Sequence, residues 1–405
     1  MTITKDKIIE NIIYIIIFYG FTIRFYQYLG NRELWGDEIL LFEAIVNKNF
    51  LDLTTLYNDQ IAPILFILTT KILLSILHSK ELFFEINLIL RFIPFLASLG
   101  SIVLFYKICK KFFCNEVVIL GIFIFSTSPN LIYYSQEFKQ YSLDVFFTLL
   151  IFYNYFNFNT YSYKKKLFLT LCAFFIPFFS HASIFALGSV VIHLFFLNFK
   201  SRNIIKISKI ISLGLFFLIS FLINYVYLIA TNAQKDHINE YWSNHFLPLP
   251  SSLFDVQIWL KVFGQFYTYS GFSILISLII LYLSVYGFKM LLKDRSNFLI
   301  IIIITFLLIL LASIVGKYPF GGRLVLFFVP MFYLFVLNAV NYYFIYDLKN
   351  YKFIFSFLLV LPFFIHFFAS FDKITLPSGD INKLQKFERE FLIKINFDNL
   401  LLITK

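Results

Sequence analysis

The sequence predicts an all-α integral membrane protein of about eleven spans, and three observations predict it. The 405-residue chain is 60% hydrophobic and only 14% charged, with a mean hydropathy of +0.81. No soluble globular class tolerates that balance. Its apolar residues fall in runs that approach the roughly 20 residues a helix needs to cross a bilayer. Between many of the runs lie short loops in which Lys and Arg collect, as they do in cytoplasmic loops.

The net charge of +11 belongs to those loops. No basic domain stands outside the membrane part, so a nucleic-acid partner is excluded. The 58 Phe and 26 Tyr fit an A/T-rich coding sequence, so aromatic stripes carry no weight as a binding signature. Cys109, Cys114 and Cys172 have no metal-ligand spacing and make no disulfide framework. The short basic start, 1–7, followed by a long apolar run, reads as a retained first span.

Taken in order, the apolar runs lie at 8–29, 61–78, 87–106, 116–129, 143–158 and 167–180. Others follow at 182–199, 210–230, 271–292, 298–315, 324–342 and 353–370. Basic clusters fall at Lys107, Lys110 and Lys111, at Lys164 to Lys166, and at Lys200, Arg202, Lys206 and Lys209. Two more lie at Lys289, Lys293 and Arg295, and at Lys349 and Lys352. Two runs separate each neighbouring pair, as cytoplasmic placement of all of them requires.

One interval breaks the pattern. Three runs separate Lys5 and Lys7 from Lys107, so one of them does not cross. The 61–78 run carries Lys71 in its middle and Pro63 near its start, and it reads as a helix lying on or dipping into the outer leaflet. The N-terminus is then cytoplasmic and the C-terminus outside. Residues 1–370 form one polytopic domain, with a first outer loop at 31–86 and a long outer loop at 231–270. The more polar tail, 371–405, suggests a short helix at 381–391 and a strand at 400–404.

This scheme gathers the chemistry on the outer face. The first outer loop holds the adjacent acids Asp37 and Glu38, introduced by Trp35 and Gly36. Such a pair suits proton abstraction from a hydroxyl or a cation, and it equally suits capping an interfacial helix. The second loop, 131–142, brings Gln136, Glu137, Lys139 and Tyr141. Glu137 would orient a hydroxyl or share a metal with Asp37, and Lys139 would meet a phosphate; the plainer reading is an interfacial Tyr belt with a surface ion pair. Arg323 follows Gly321 and Gly322, which allow close backbone approach. Arg323, Arg91 and Lys71 suit a lipid phosphate or, more plainly, snorkel to the headgroups. His181 is a further orienting candidate or a core histidine, and Trp242 lies in the long loop beside His245.

The order of these stretches resembles a known family. Leu-Trp-Gly-Asp-Glu at 34–38 is followed by Ala-Pro-Ile-Leu-Phe at 62–66 and Arg-Phe-Ile-Pro at 91–94. Then come Ser-Pro-Asn-Leu-Ile-Tyr-Tyr-Ser-Gln-Glu-Phe-Lys-Gln-Tyr-Ser-Leu at 128–143 and Tyr-Pro-Phe-Gly-Gly-Arg at 318–323. Together they resemble the polytopic glycosyltransferases of the GT-C fold, nearest the protein O-mannosyltransferases and aminoarabinose transferases (glycosyltransferase family 39-like). The resemblance runs to about residue 330 and rests on order and spacing.

It implies interfacial helices between the first two spans, a sugar carried on a polyprenyl phosphate, and transfer outside the cytoplasm. Asp37 would be the base and Glu38 its partner. Arg323, Lys139, Arg91 and Lys71 would bind the donor phosphate. Glu137, Gln136, Tyr141, His181 and Trp242 would orient sugar or acceptor. Two positions depart from the pattern: paired prolines are replaced by Ala62-Pro63-Ile64, and the Arg of the Ser-Gln-Glu motif is Lys139. A divalent cation (Mg or Mn) is left open, with Asp37 and Glu137 the carboxylates it would meet.

The expected protein is thus a glycosyltransferase of a bacterial inner membrane, multi-pass, acting on a glycan, lipid or protein hydroxyl among membrane lipids. The rival class is a transporter or flippase of lipid-linked glycan. Transporters place charges near the bilayer midplane and often carry internal repeats. Here charges collect at one face and no repeat is visible. A structural membrane scaffold is the third reading.

Overall fold

The computed structural model describes residues 5–50, 52–54, 61–79, 85–199, 204–226, 240, 242–249, 256–270, 282–286, 297–343 and 368. Among them the chain is all-helical, with no strand. The helices are α1 (Lys5–Leu29), α2 (Gly36–Asn47), α3 (Ile64–Ser79), α4 (Ile86–Phe112), α5 (Asn115–Thr127), α6 (Pro129–Tyr133) and α7 (Tyr141–Asn157). They continue with α8 (Tyr163–Phe175), α9 (Ser183–Phe199), α10 (Ile204–Asn224), α11 (Val256–Ser270), α12 (Asn297–Ile314) and α13 (Val329–Tyr342). A 3-10 segment, Gly322–Phe328, leads into α13.

Every apolar run that falls within the described residues is helical. Four helices there are long and apolar enough to cross a membrane, or five if one bent pair is counted as a single span. The runs expected at 271–292 and 353–370, and the helix and strand expected in the tail, lie outside the described residues or almost wholly so.

The bent pair has a clear cause. Pro129 has no N–H to give to the carbonyl of Phe125, and the axis turns by 52° between 115–127 and 129–136. The carbonyls released at the break are taken by Arg24 of α1. Its guanidinium donates to Ser126 O at 3.0 Å, Phe125 O at 3.3 Å, Gly20 O at 3.0 Å and Ser98 Oγ at 2.7 Å. Close packing lets the arginine reach them, since a Cβ on Gly20 would stand 2.7 Å from Ser126 Oγ.

Different contacts close the two ends of the α1–α4 pair. At one end Lys110 pairs with Glu10 at 3.4 Å, and Lys111 donates to Phe156 O and Asn157 Oδ1. At the other end the Tyr28 hydroxyl, at the close of α1, donates to Leu88 O at the opening of α4, 2.7 Å away. The end of α1 therefore lies beside the opening of α4, and α3, in the stretch between them, is a shorter apolar helix than the four long ones. With α2, Phe138 and the first half of α4, α3 builds its own apolar cluster around Phe42, Phe66 and Ile67. Lys71 belongs to this packing: its buried ammonium donates to Ile45 O at 2.6 Å and to Lys48 O, closing the C-terminus of α2.

Candidate active site

The adjacent acids Asp37 and Glu38 divide the work between them. Consecutive helical residues point about 100° apart, so one of the pair turns inward. Glu38 is fully buried and its carboxylate accepts four hydrogen bonds. Arg91 Nε donates to Oε1 at 3.2 Å and Arg91 Nη2 to Oε2 at 2.7 Å. The Trp35 N–H donates to Oε2 at 3.2 Å, and the Phe138 N–H donates to Oε1. Burial pushes the Glu38 carboxyl up, but the charge and hydrogen bonds of Arg91, then Arg32 and the Phe138 N–H, hold it below its ordinary value.

That network redefines two expected site residues. Arg91 also donates to the carbonyls of Arg32 and Glu33, so its guanidinium is committed to the framework rather than turned toward a phosphate. Glu38 reaches back to the N-cap residue Trp35 and so caps α2, while tying α4 and the 137–139 loop to it. Lys71, held on the end of α2, is likewise removed from the phosphate set.

Asp37 faces the other way. Its carboxylate pairs with Arg323, whose second nitrogen, Nη1, stands 3.8 Å from Glu137 Oε1. The Arg323 guanidinium lies over two rings, 4.9 Å from Trp35 and 5.5 Å from Tyr141. Gly322 takes φ +61°, the left-handed region that glycine enters freely. A Cβ on Gly321 would meet His245 at 2.6 Å, so both glycines are needed to bring Arg323 in.

The 137–139 loop is aimed by its centre. Phe138 is fully buried, packs on Phe66 with centroids 5.6 Å apart, and gives its N–H to Glu38. Glu137 and Lys139, on either side, are buried within electrostatic reach of Arg323. Burial, and then Glu38, push the Glu137 carboxyl up to about 7, against the pull of Arg32, Arg323 and Lys139. Burial draws the Lys139 ammonium down to about 8, with Asp37, Glu137 and Glu38 opposing. Neither oxygen of Glu137 has a hydrogen-bond partner.

The remaining candidates lie around this centre. Tyr141 forms one wall. Gln136 turns away to Gln27 of α1, and its carbonyl accepts from Arg32. His181 stands beside the carbonyls of Ala62 and Pro177 without closing a well-formed hydrogen bond to either, and burial lowers its imidazole to about 4, so it is neutral. Trp242 packs edge-on against His245, 5.0 Å between centroids, one layer behind Gly321.

The residues present fit a divalent cation poorly. The guanidinium of Arg323 bridges Asp37 and Glu137, and no three Asp, Glu, His or Cys groups converge among the described residues.

Two residues were not legible as site candidates. Asp144 and Thr148, one helical turn apart on α7 below Tyr141, are buried, with Asp144 Oδ1 and Thr148 Oγ1 unbonded. Thr22, Thr69, Thr70, Thr127, Thr170 and Thr305 each donate to the carbonyl four residues back. Thr148 does not. An acid within an apolar run was the available signal.

An apolar groove of about 430 Å³ opens between α3, α4 and α7, lined by residues including Leu73, Ile93, Leu96, Leu143, Phe146 and Phe179. No protein-family model matches the chain, and no curated protein matches it.

Proposed function

We propose that the chain is a membrane glycosyltransferase that moves a sugar from a polyprenyl phosphate to a hydroxyl of a glycan, lipid or protein. The observation that carries the reading is the Asp37–Arg323 pair, flanked by Glu137 and Lys139. A guanidinium and an ammonium within reach of one another match a phosphate, and the apolar helices around them match its lipid tail. The GT-C fold, about eleven spans and an extracytoplasmic site in a bacterial inner membrane complete the proposal.

The chemistry follows from partner exchange at Arg323. An incoming phosphate competes with Asp37 for the guanidinium, which frees the carboxylate beside the acceptor. Asp37 then takes the acceptor's hydroxyl proton as its oxygen attacks the sugar's anomeric carbon. The bond from that carbon to the phosphate oxygen breaks, and its electron pair stays on the phosphate, facing Arg323 and Lys139. Glu38, Arg91 and Lys71 hold the frame.

The test is transfer of labelled sugar from polyprenyl-phosphate sugars by the purified protein in detergent. Movement of intact lipid-linked glycan across vesicles without any transfer would replace the enzyme by a transporter.

A further inference from the structure

Glu137 and Glu38 are two buried carboxyl groups on either side of one loop, with opposite surroundings. Glu38 accepts four hydrogen bonds. Glu137 is 1% exposed and accepts none. Its nearest cation, Arg323, is turned toward Asp37 and stands at 3.8 Å, beyond hydrogen-bond range. A buried carboxylate without donors is strongly disfavoured, whereas a buried carboxylic acid needs an acceptor for its proton. The free protein offers Glu137 no such acceptor in good geometry. A phosphate oxygen would be one.

We propose that Glu137 meets the phosphate as a neutral carboxyl, donates a hydrogen bond to it, and gives it a proton as the sugar leaves. The inference rests on the glycosyl-transfer reading. In the balanced step, Asp37 gains the acceptor's proton, and a new bond joins the acceptor oxygen to the anomeric carbon. The old carbon–oxygen bond breaks toward phosphate. The Glu137 proton passes to the freed phosphate oxygen, so the lipid leaves as a monoanion and Glu137 remains as a carboxylate beside Arg323 and Lys139. Proton return from Asp37 to Glu137 resets the site.

The charges around Glu137 allow both forms. Glu38 from α2 favours the neutral acid. Arg32 before α2, Lys139 on its own loop and Arg323 from the 3-10 segment favour the carboxylate, and Tyr141 of α7 closes the wall. Burial tips the balance, with the group near the midpoint of its titration at neutral pH. A proton is therefore present to give and tolerable to lose.

The probe is a polyprenyl phosphate methyl diester, whose own charge stays fixed between pH 6 and 8. Binding is measured to the full-length protein, to Glu137→Gln and to Glu137→Ala. The native protein should lose about 10-fold in affinity from pH 6 to pH 8 as Glu137 gives up its proton. Glu137→Gln keeps a donor without charge, so it should keep only the roughly 2-fold loss that Lys139, drawn down to about 8, brings by pH 8; it should bind tighter than native at pH 8, yet transfer sugar about 100-fold more slowly. Glu137→Ala should show the same small residual pH dependence, with weaker binding. A merely structural glutamate would not give tighter binding with slower turnover. Equal pH dependence in native protein and Glu137→Gln overturns the proposal. If no folded variant binds the diester at any pH, the glycosyl-transfer reading itself falls.

Discussion

Arg323 and Asp37 lie 286 residues apart in the chain and close an ion pair in the fold. The pair is only partly buried, with side chains 16% and 26% exposed, so an anion arriving from outside can contest it. Removing Asp37 should therefore act on substrate binding and on chemistry in opposite directions.

Asp37→Asn keeps the shape of the side chain but takes no proton at neutral pH. Turnover should fall by about 100-fold or more, while affinity for polyprenyl phosphate holds or rises because Arg323 loses its competitor. Sugar transfer and lipid binding, measured on the same preparation, check both halves. Unchanged turnover would leave Asp37 as a surface partner of Arg323 and remove the base.

Arg323→Lys should keep only part of the native activity, since an ammonium cannot offer a phosphate the planar fork of a guanidinium while facing Glu137. Arg323→Ala should lower affinity for the lipid phosphate by about 30-fold or more. Native affinity in the alanine variant would assign Arg323 to packing on Trp35 and Tyr141.

The Glu38–Arg91 pair should report on stability. Breaking one partner of a buried pair costs about 3–5 kcal/mol, so Arg91→Ala should markedly lower the melting temperature in detergent. Because the Glu38 pKa is depressed in the fold, its contribution is present above the ordinary carboxylate range and is lost as pH falls through the folded value. The melting temperature of the native protein should drop in acid, and that drop should shrink in Glu38→Gln. A pH-independent difference between the two would contradict the assignment.

Glu137 should behave in the reverse sense. Its folded pKa, about 7, lies above its ordinary value of 4.5, so keeping it buried costs stability as pH rises between those two values and above. Glu137→Gln should be more stable than the native protein at pH 8, by on the order of 3 kcal/mol at most, and no more stable at pH 4. Equal melting temperatures at pH 8 would show that the carboxylate finds partners on ionising.

The sequence made the apolar runs and the meeting of Asp37 with Glu137 and Arg323 legible, because charge placement orders the loops. It did not separate Asp37 from Glu38. Adjacency along the chain suggested joint action, and only the helical turn between them sends one to the frame and the other to the site. Arg91 and Lys71 were misjudged for a related reason: their partners are backbone carbonyls and a carboxylate from other segments, which leave no local pattern. Arg24 passed unnoticed inside an apolar run, although Pro129 already announced that a carbonyl elsewhere would need a donor.

Arg24 also bears on how the chain is made. Ser98, Phe125 and Ser126, which receive its guanidinium, are synthesised 74, 101 and 102 residues after it. Until then its own turn offers only Gly20 O, and a charge in the bilayer with so few acceptors is costly. The first span should thus settle to its final depth only after α5 has emerged, with Arg24 snorkelling to the interface in the meantime. Nascent chains truncated before Ser126 should show α1 at a shallower depth than longer ones, and an unchanged depth would mean that lipid and water alone satisfy the arginine.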